Sequence, residues 1–369
     1  MTDATTRAVA VVLAGALACA AGSRPGLAAP GTPQEVRRAR YLMGSRCEVV
    51  AWGEDEAVVA AAAEAALDEV ARLDALLSDY REDSELSHLN RMGGGGRTAI
   101  SRDLAAFLRE AIDWARLSDG AFDPTIGALI AAWDLRGAGR IPTPPDLERA
   151  LAATGYEHLH LGEGPTAWFD VPGLILDPGA IGKGYALDLA ARVLEARGVT
   201  AALLELGGQF LALDAPPGEQ GWRVAVADPG DRERPVLLLR LRRQSIATSG
   251  QSERGVQVGS RWLGHILDPR RGQPVDWPGQ VSVLAAQATA ADVLSTAALV
   301  RGPSVLSTDG ALPSGVGVAV MDSGGERGRV RVFANSLFAS QVVARREGAE
   351  MNPLAEAGRR GMGPGGGLP

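Results

Sequence analysis

Leu176-Asp-Pro-Gly-Ala-Ile-Gly-Lys-Gly-Tyr-Ala-Leu-Asp188 is the stretch around which the rest of the chain is organised. It holds the only lysine of the protein: of 37 basic residues, 36 are arginine. A position that keeps Lys against such a bias calls for a compact, mobile ammonium that a planar guanidinium cannot replace, so Lys183 is the first candidate functional residue. Gly179, Gly182 and Gly184 let backbone approach a ligand closely. The pattern from Tyr185 to Leu194 predicts a helix whose first turn offers free N–H groups and a positive dipole end, which suits a phosphate. The stretch is not a Walker A loop, because Asp177 stands where the first glycine of that motif belongs and Gly184 where its hydroxyl residue belongs. Nor does it read G-x-G-x-x-G. Taken alone, it is equally a structural strand-to-helix turn with a solvated lysine.

Outward from this stretch the second half of the chain is rich in strands. They are expected at His158–Leu161, Leu174–Asp177, Ala201–Leu206, Gln209–Leu213, Trp222–Ala227, Val236–Leu241, Gln280–Ala285 and Gly317–Met321. Helices are expected there at Ala180–Arg197, Ala291–Val300 and Pro303–Asp309. Toward the N-terminus come a strand at Cys47–Trp52 and a long helix at Glu56–Leu77. A short turn capped by Ser84 or Asp83 follows, then a flexible tip at Gly93–Gly96. An amphipathic helix at Ser101–Leu117 is closed by Gly120, and a helix at Asp146–Ala153 is entered through Pro144-Pro145. The elements do not alternate regularly as βαβ units. The fold class is therefore α+β, with mainly antiparallel sheets flanked by helices.

A chain of 369 residues with 46% hydrophobic content can bury one large core or two smaller ones. A net charge of −7 and a pI near 5.3 argue against nucleic acid or an anionic membrane surface as the main partner. Ala8–Ala21 is an apolar run behind Arg7, followed by small residues, Pro and Gly. It reads as a secretory signal peptide over residues 1–29, and it is too short to be read as a membrane span. The expected location is exported and periplasmic, with lipid anchoring at Cys19 as the minor alternative. Removal of the signal would leave Cys47 as the single cysteine, too few for a disulfide or a thiolate metal site. Residues 34–345 are expected to form the functional domain, and residues 346–369, closing in Gly, Pro and Arg, a disordered tail.

Asp292 and Thr296 lie four apart on a helical segment, so both oxygens can emerge on one face in what the pattern places as the first turn. Two hard ligands with room for water and substrate phosphate suit Mg²⁺. The competing explanation is that Asp292 caps its own helix. His265, one of four histidines, precedes a turn in His265-Ile-Leu-Asp-Pro-Arg-Arg-Gly-Gln-Pro274, and a structural pairing with a carboxylate is an equal alternative to catalysis. Thr248-Ser249-Gly250 and Gly207-Gly208 are loop elements of low specificity.

Taken together, and in this order, several motifs resemble the ApbE family of flavin transferases (FAD:protein FMN transferases). They are Met43-Gly44-Ser45, Ser78-Asp-Tyr80 with Asp83–Asn90, Gly120-Ala-Phe-Asp-Pro-Thr125, Asp177 with Gly182–Asp188, Leu206-Gly-Gly208, Trp222-Arg223 with Asp228-Pro229, Ala247–Gly250, His265–Pro269, and Ala291-Asp292 with Ser295-Thr296. The likeness spans Met43 to Leu299. It implies that Met43, Tyr80, Ala121, Phe122, Asp123, Asp177, Lys183 and Leu267 line a site for FAD as substrate. It also implies that the Ala180 carbonyl, Asp292 and Thr296 hold Mg²⁺, with Ser295 a neighbour, and that His265 and Lys183 are catalytic.

The activity so implied is Mg²⁺-dependent transfer of the FMN moiety of FAD to a Ser or Thr hydroxyl of an acceptor flavoprotein subunit, releasing AMP. The acceptor would be an exported or membrane-associated redox subunit. Hydrolysis of FAD to FMN and AMP, or non-catalytic FAD binding in assembly, are the alternatives, although paired metal ligands at a pyrophosphate favour chemistry over storage. The chain departs from the family pattern at Ser45, where Thr is usual, and at Arg271, where a hydroxyl residue is usual. The second change bears on how an acceptor is positioned.

Overall fold

The computed structural model describes residues 32–251, 255–303, 312–322 and 329–355. The expected signal segment, Cys19, most of the helix expected at Pro303–Asp309 and the end of the tail lie outside them. The chain opens with a hairpin of β1 (Gln34–Leu42) and β2 (Ser45–Gly53), then α1 (Glu56–Leu77). The Asp55 carboxylate caps α1 by accepting from the Ala57 and Val58 amides. Next come α2 (Glu85–Met92), β3 (Thr98–Ala99), α3 (Arg102–Leu117), α4 (Gly127–Trp133), α5 (Pro144–Ala152), β4 (Leu159–Leu161) and β5 (Thr166–Phe169), which lead to α6 (Gly182–Ala196).

After α6 the strands crowd together: β6 (Ala201–Leu206), β7 (Gln209–Ala212), β8 (Trp222–Asp228), β9 (Asp231–Leu241), β10 (Gln244–Gly250), β11 (Gly255–Val258), β12 (Arg261–Gly264), β13 (Leu267–Asp268), β14 (Gln273–Pro274) and β15 (Gln280–Ala285). The chain continues through α7 (Ala288–Arg301), β16 (Gly317–Asp322), β17 (Val330–Ala334), α8 (Ser336–Gln341), β18 (Val342–Arg345) and β19 (Ala349–Pro353).

Nine strands form one sheet in the order β1-β2-β6-β7-β10-β15-β16-β17-β19, antiparallel throughout except for the final β17–β19 pair. Strand alternation sends successive side chains to opposite faces. Leu204 and Leu206 of β6 therefore pack with Leu67 and Leu73 of α1, Leu187 of α6 and Val293 of α7. Leu203 faces the other way, onto Val224 and Leu239 of the smaller β18-β9-β8 sheet. The result is a mixed α+β architecture in which the large sheet lies between a helical layer and a small antiparallel sheet. Of the residues of α7, only Thr296, Val300 and Arg301 escape full burial. Its alanines allow α6 and the sheet to close on it from both sides, as expected of a helix apolar nearly all round.

Several expectations change. Leu174–Asp177 is no strand: Ile175 makes only an isolated parallel bridge with Ile126. The tail is ordered at its start, because β19 completes the sheet edge beside β17. Finally, α7 begins at Ala288, one turn before the expected Ala291, which matters for Asp292.

Candidate functional site

Two tight turns meet at one end of the large sheet. Met43-Gly44 joins β1 to β2 with φ of +48° and +69°, and Gly207-Gly208 joins β6 to β7 with φ of +60° and +88°. Positive φ at both central residues is the hairpin turn whose twist matches its flanking strands, and glycine supplies it without strain. Met43 lacks that freedom, and its amide is held by Asp74 of α1 at 2.9 Å. Because β2 pairs with β6, the turns are neighbours, and the Gly207 amide donates to the Arg46 carbonyl at 3.2 Å. A Cβ at Gly207 would stand 2.9 Å from Ser45 Oγ and 3.4 Å from Lys183 Cδ. The lysine stem thus lies against the Gly207-Gly208 turn.

Lys183 sits in the first turn of α6. Its Nζ donates to the Gly179 carbonyl at 3.2 Å and stands 3.8 Å from Asp292 Oδ1. Asp292 is 6% exposed, and its Oδ2 accepts the Gly184 amide at 3.0 Å. It does not cap its own helix, because α7 starts four residues earlier and its first amides are taken by Asp188 of α6. The capping explanation is thereby replaced: Asp292 is a second-turn residue aimed across at α6. Thr296 follows one turn later, its Oγ1 3.2 Å from Ser249 Oγ on β10. Ser249 also meets Ser295 Oγ at 2.8 Å, and Ser295 donates to the Asp292 carbonyl at 2.9 Å. Thr248 and Ser249 belong to a strand, where a loop was expected.

These donors fit a hard divalent cation. In a regular helix the Gly184 amide would bond the Ala180 carbonyl, but here it goes to Asp292, and no backbone amide among the described residues is directed at Ala180. A carbonyl, one carboxylate oxygen and a threonine hydroxyl thus border the same helix junction. Among the described residues there is no cluster of three or more His, Cys, Asp or Glu side chains that could hold a metal. A site with a single carboxylate suits Mg²⁺, which takes one or two carboxylates and completes its shell with water and substrate phosphate.

Asp177 extends the site. Its Oδ1 accepts the Gly179 amide at 2.7 Å and its Oδ2 accepts from Arg136 at 2.5 Å, while the same guanidinium bonds Asp79 and lies 4.5 Å over the Tyr80 ring. Burial first, and the Asp177 charge second, push the Asp79 carboxyl above its ordinary range, against the pull of Arg136. Arg136 carried no signal in the sequence, being one of 36 arginines. Tyr80 is 73% exposed, an aromatic face open at the rim.

Ala121 and Phe122 are buried beside the Asp123 carboxylate, which accepts from the Thr125 amide at 2.8 Å, the Thr125 hydroxyl at 2.6 Å and the Tyr156 amide at 2.9 Å. Burial raises its pKa despite these three donors. Leu267 is buried in β13, and His265 is half-buried between β12 and β13. The loop carrying His265 is fastened to the end of β10 by Gln251, another residue without a sequence signal. Gln251 Nε2 donates to the Ile266 carbonyl at 2.7 Å and to the Val275 carbonyl at 2.9 Å, and Oε1 accepts the Ile266 amide at 3.1 Å. Cys47 is remote in character: burial, above all, pushes its thiol up to about 12, so it is inert.

Fold and geometry define an α+β protein whose candidate site sits where two glycine turns meet the starts of two helices. Residues 43–308 match the ApbE family, and the chain belongs to it. A protein of Treponema pallidum named FAD:protein FMN transferase is 34% identical over 306 residues, covering 77% of this chain and 83% of that one. One of the same name from Salmonella typhimurium is 32% identical over 237 residues, 62% and 68% of the two chains. Among solved structures, the ApbE protein of Thermotoga maritima superposes with a TM-score of 0.74 at 27% identity, over 85% of this chain and all of that one. The flavin transferase ApbE of Vibrio cholerae does so with a TM-score of 0.70 at 27% identity, over 84% of this chain and all of that one.

Proposed function

We propose that this transferase moves the FMN moiety of FAD onto a Ser or Thr hydroxyl of an acceptor protein and releases AMP. The observation that carries the reading is the pairing of Lys183 with Asp292 at 3.8 Å, beside the Thr296 hydroxyl and the Ala180 carbonyl, in a chain whose relatives bear the name FAD:protein FMN transferase. In the reaction the acceptor oxygen bonds to the phosphorus nearer riboflavin. The bond from that phosphorus to the bridging oxygen breaks, and its electron pair leaves with AMP. Lys183 neutralises pyrophosphate charge from the first turn of α6. Asp292, Thr296 and the Ala180 carbonyl would hold Mg²⁺, which when bound stabilises the charge that develops on the phosphate oxygens. His265 takes the hydroxyl proton, as an imidazole can near neutral pH. Tyr80, with Arg136 beneath it, offers an aromatic face to the flavin end.

The acceptor is proposed to be an exported or membrane-associated redox subunit, in keeping with the signal-like residues 1–29. The test combines purified protein, FAD, Mg²⁺ and a candidate acceptor domain, followed by the intact mass of the acceptor. A gain of one FMN phosphoryl unit together with AMP is the expected result. Free FMN and AMP with an unmodified acceptor would mean hydrolysis instead.

A further inference from the structure

Each of the two helices that form the site lacks a side-chain cap of its own. Ile181 precedes α6 and Gln287 precedes α7, and neither side chain bonds the helix start. The missing acceptors come from the other helix. Asp188, in the second turn of α6, accepts the Ala288 amide at 2.8 Å, the Thr289 amide at 2.8 Å and the Thr289 hydroxyl at 2.7 Å. Asp292, in the second turn of α7, accepts the Gly184 amide at 3.0 Å in return. Between these bonds the backbones nearly touch: a Cβ at Gly184 would lie 2.4 Å from the Ala288 carbonyl oxygen. That oxygen is also fixed by Gln209 Nε2 of β7 at 2.7 Å.

We propose that Asp188 is a positioning residue that sets the metal and phosphate geometry from outside it. Lys183 adjoins Gly184, and Asp292 stands one turn beyond Ala288 and Thr289. Any slide of α7 against α6 therefore changes the spacing of Lys183 and Asp292, and moves Thr296 and the Ala180 carbonyl relative to each other. Both Asp188 oxygens are occupied by α7, so its role is exerted through Asp292. Partners that orient a metal ligand in this way commonly change metal affinity by roughly 10- to 100-fold when lost. The inference rests on the reading of Asp292, Thr296 and Ala180 as a Mg²⁺ site.

The test is Mn²⁺ binding by the full chain, followed by electron paramagnetic resonance with and without FAD, alongside the Mg²⁺ dependence of turnover. Asp188→Asn removes the charge and leaves the shape. Gly184→Ala wedges the helices apart with no change of charge. Both should weaken Mn²⁺ by about tenfold or more and raise the apparent KM for Mg²⁺ more than they lower kcat. Thr289→Val removes one bond of the three and should weaken Mn²⁺ by about two- to threefold, which keeps the inference testable if the other variants fail to fold. Unchanged Mn²⁺ affinity in folded variants overturns the positioning role alone. Loss in Asp188→Asn without loss in Gly184→Ala would make the effect one of charge and also overturns it. A wild-type chain that binds no Mn²⁺, with FAD or without, overturns the metal reading underneath.

Discussion

Asp292 and Asp123 are both buried aspartates in the stretches that resemble the flavin transferases, yet their surroundings differ in kind. Asp123 has three donors, two from Thr125 and one from Tyr156, and among the described residues no basic side chain is paired with it. Asp292 has one donor on Oδ2, while its Oδ1 faces the only lysine of the chain across 3.8 Å. Asp123 closes the turn at Thr125 and ties it to the Tyr156 amide, 33 residues on. Asp292 leaves Oδ1 facing the Lys183 ammonium, and its backbone carbonyl accepts from the Ser295 hydroxyl. Burial alone does not mark a site; burial with acceptor capacity left over, next to mobile positive charge, does.

The largest effect should come from Asp292→Ala. Removing the one carboxylate of the proposed Mg²⁺ site should abolish metal-dependent transfer, while the lost Gly184 bond lowers stability by only about 1–2 kcal/mol. Turnover in Mg²⁺ equal to wild type would end the metal assignment, and global unfolding would place Asp292 with Asp123 as a structural carboxylate.

Lys183→Arg comes next. The stem runs against Gly207, with 3.4 Å between Cδ and the position a Cβ at Gly207 would fill. A guanidinium is wider than an ammonium and would displace a pyrophosphate by on the order of an ångström, at a cost of roughly 10²-fold in a reaction that depends on alignment. The expected result is turnover nearly as low as that of Lys183→Met. Near-normal turnover would mean that the turns hold the phosphate without the lysine.

Asp123→Ala should invert the pattern. It leaves the Thr125 amide, the Thr125 hydroxyl and the Tyr156 amide without their acceptor in a buried place, a loss of about 2–4 kcal/mol that a denaturant midpoint would record. Turnover per folded molecule should fall far less than in Asp292→Ala. If the two variants lose turnover alike with stability intact, the contrast between the two aspartates is wrong.

The parts that could be read from sequence are those with a local signature. Glu56–Leu77 is found with both ends right because its apolar spacing and the Asp55 cap are contained within the segment. Lys183 stands out by composition, and Asp292 with Thr296 by spacing. What escapes reading depends on partners distant in the chain. β1 shows only Val36 fully buried and carries Arg37, Arg38 and Arg40 along an edge, so it lacks the apolar run of an inner strand. Arg136 gains meaning from Asp79, Asp177 and Tyr80, and Gln251 from Ile266 and Val275. Asp188 ends the Leu176–Asp188 stretch, but its use appears only when α7 is brought within 2.8 Å. From sequence Asp292 resembles a cap, because Asp near a helix start is a preferred cap, but α7 starts at Ala288 and its first amides go to Asp188.

The smallest effect concerns Glu205, which tests whether leftover acceptor capacity is enough by itself. Glu205 is 4% exposed; its Oε1 accepts the Gly208 amide at 2.7 Å, and its Oε2 is buried with no partner among the described residues. It resembles Asp292 in that respect, but it pairs across the sheet with Glu48 and lies on the face away from α6 and α7. Burial, first, and the Glu48 charge raise its pKa above the ordinary 4.5, against the Gly208 amide and Arg46. A carboxyl whose folded pKa is raised favours the native state most below the unfolded value, and that contribution fades as pH climbs through the folded value. Glu205→Gln keeps the acceptor for Gly208 and removes the charge. It should therefore raise the unfolding midpoint at pH 8 by the equivalent of about 1 kcal/mol or less, with the gain vanishing near pH 4.5. Turnover should stay near wild type, since among the described residues this oxygen has no hydrogen-bonding partner and no lysine paired with it. A gain that is the same at both pH values would refute the burial account. A large loss of turnover would show that an incompletely bonded buried carboxylate marks function here even without a cation beside it, and the distinction drawn between Asp292 and the other acids would have to rest on something else.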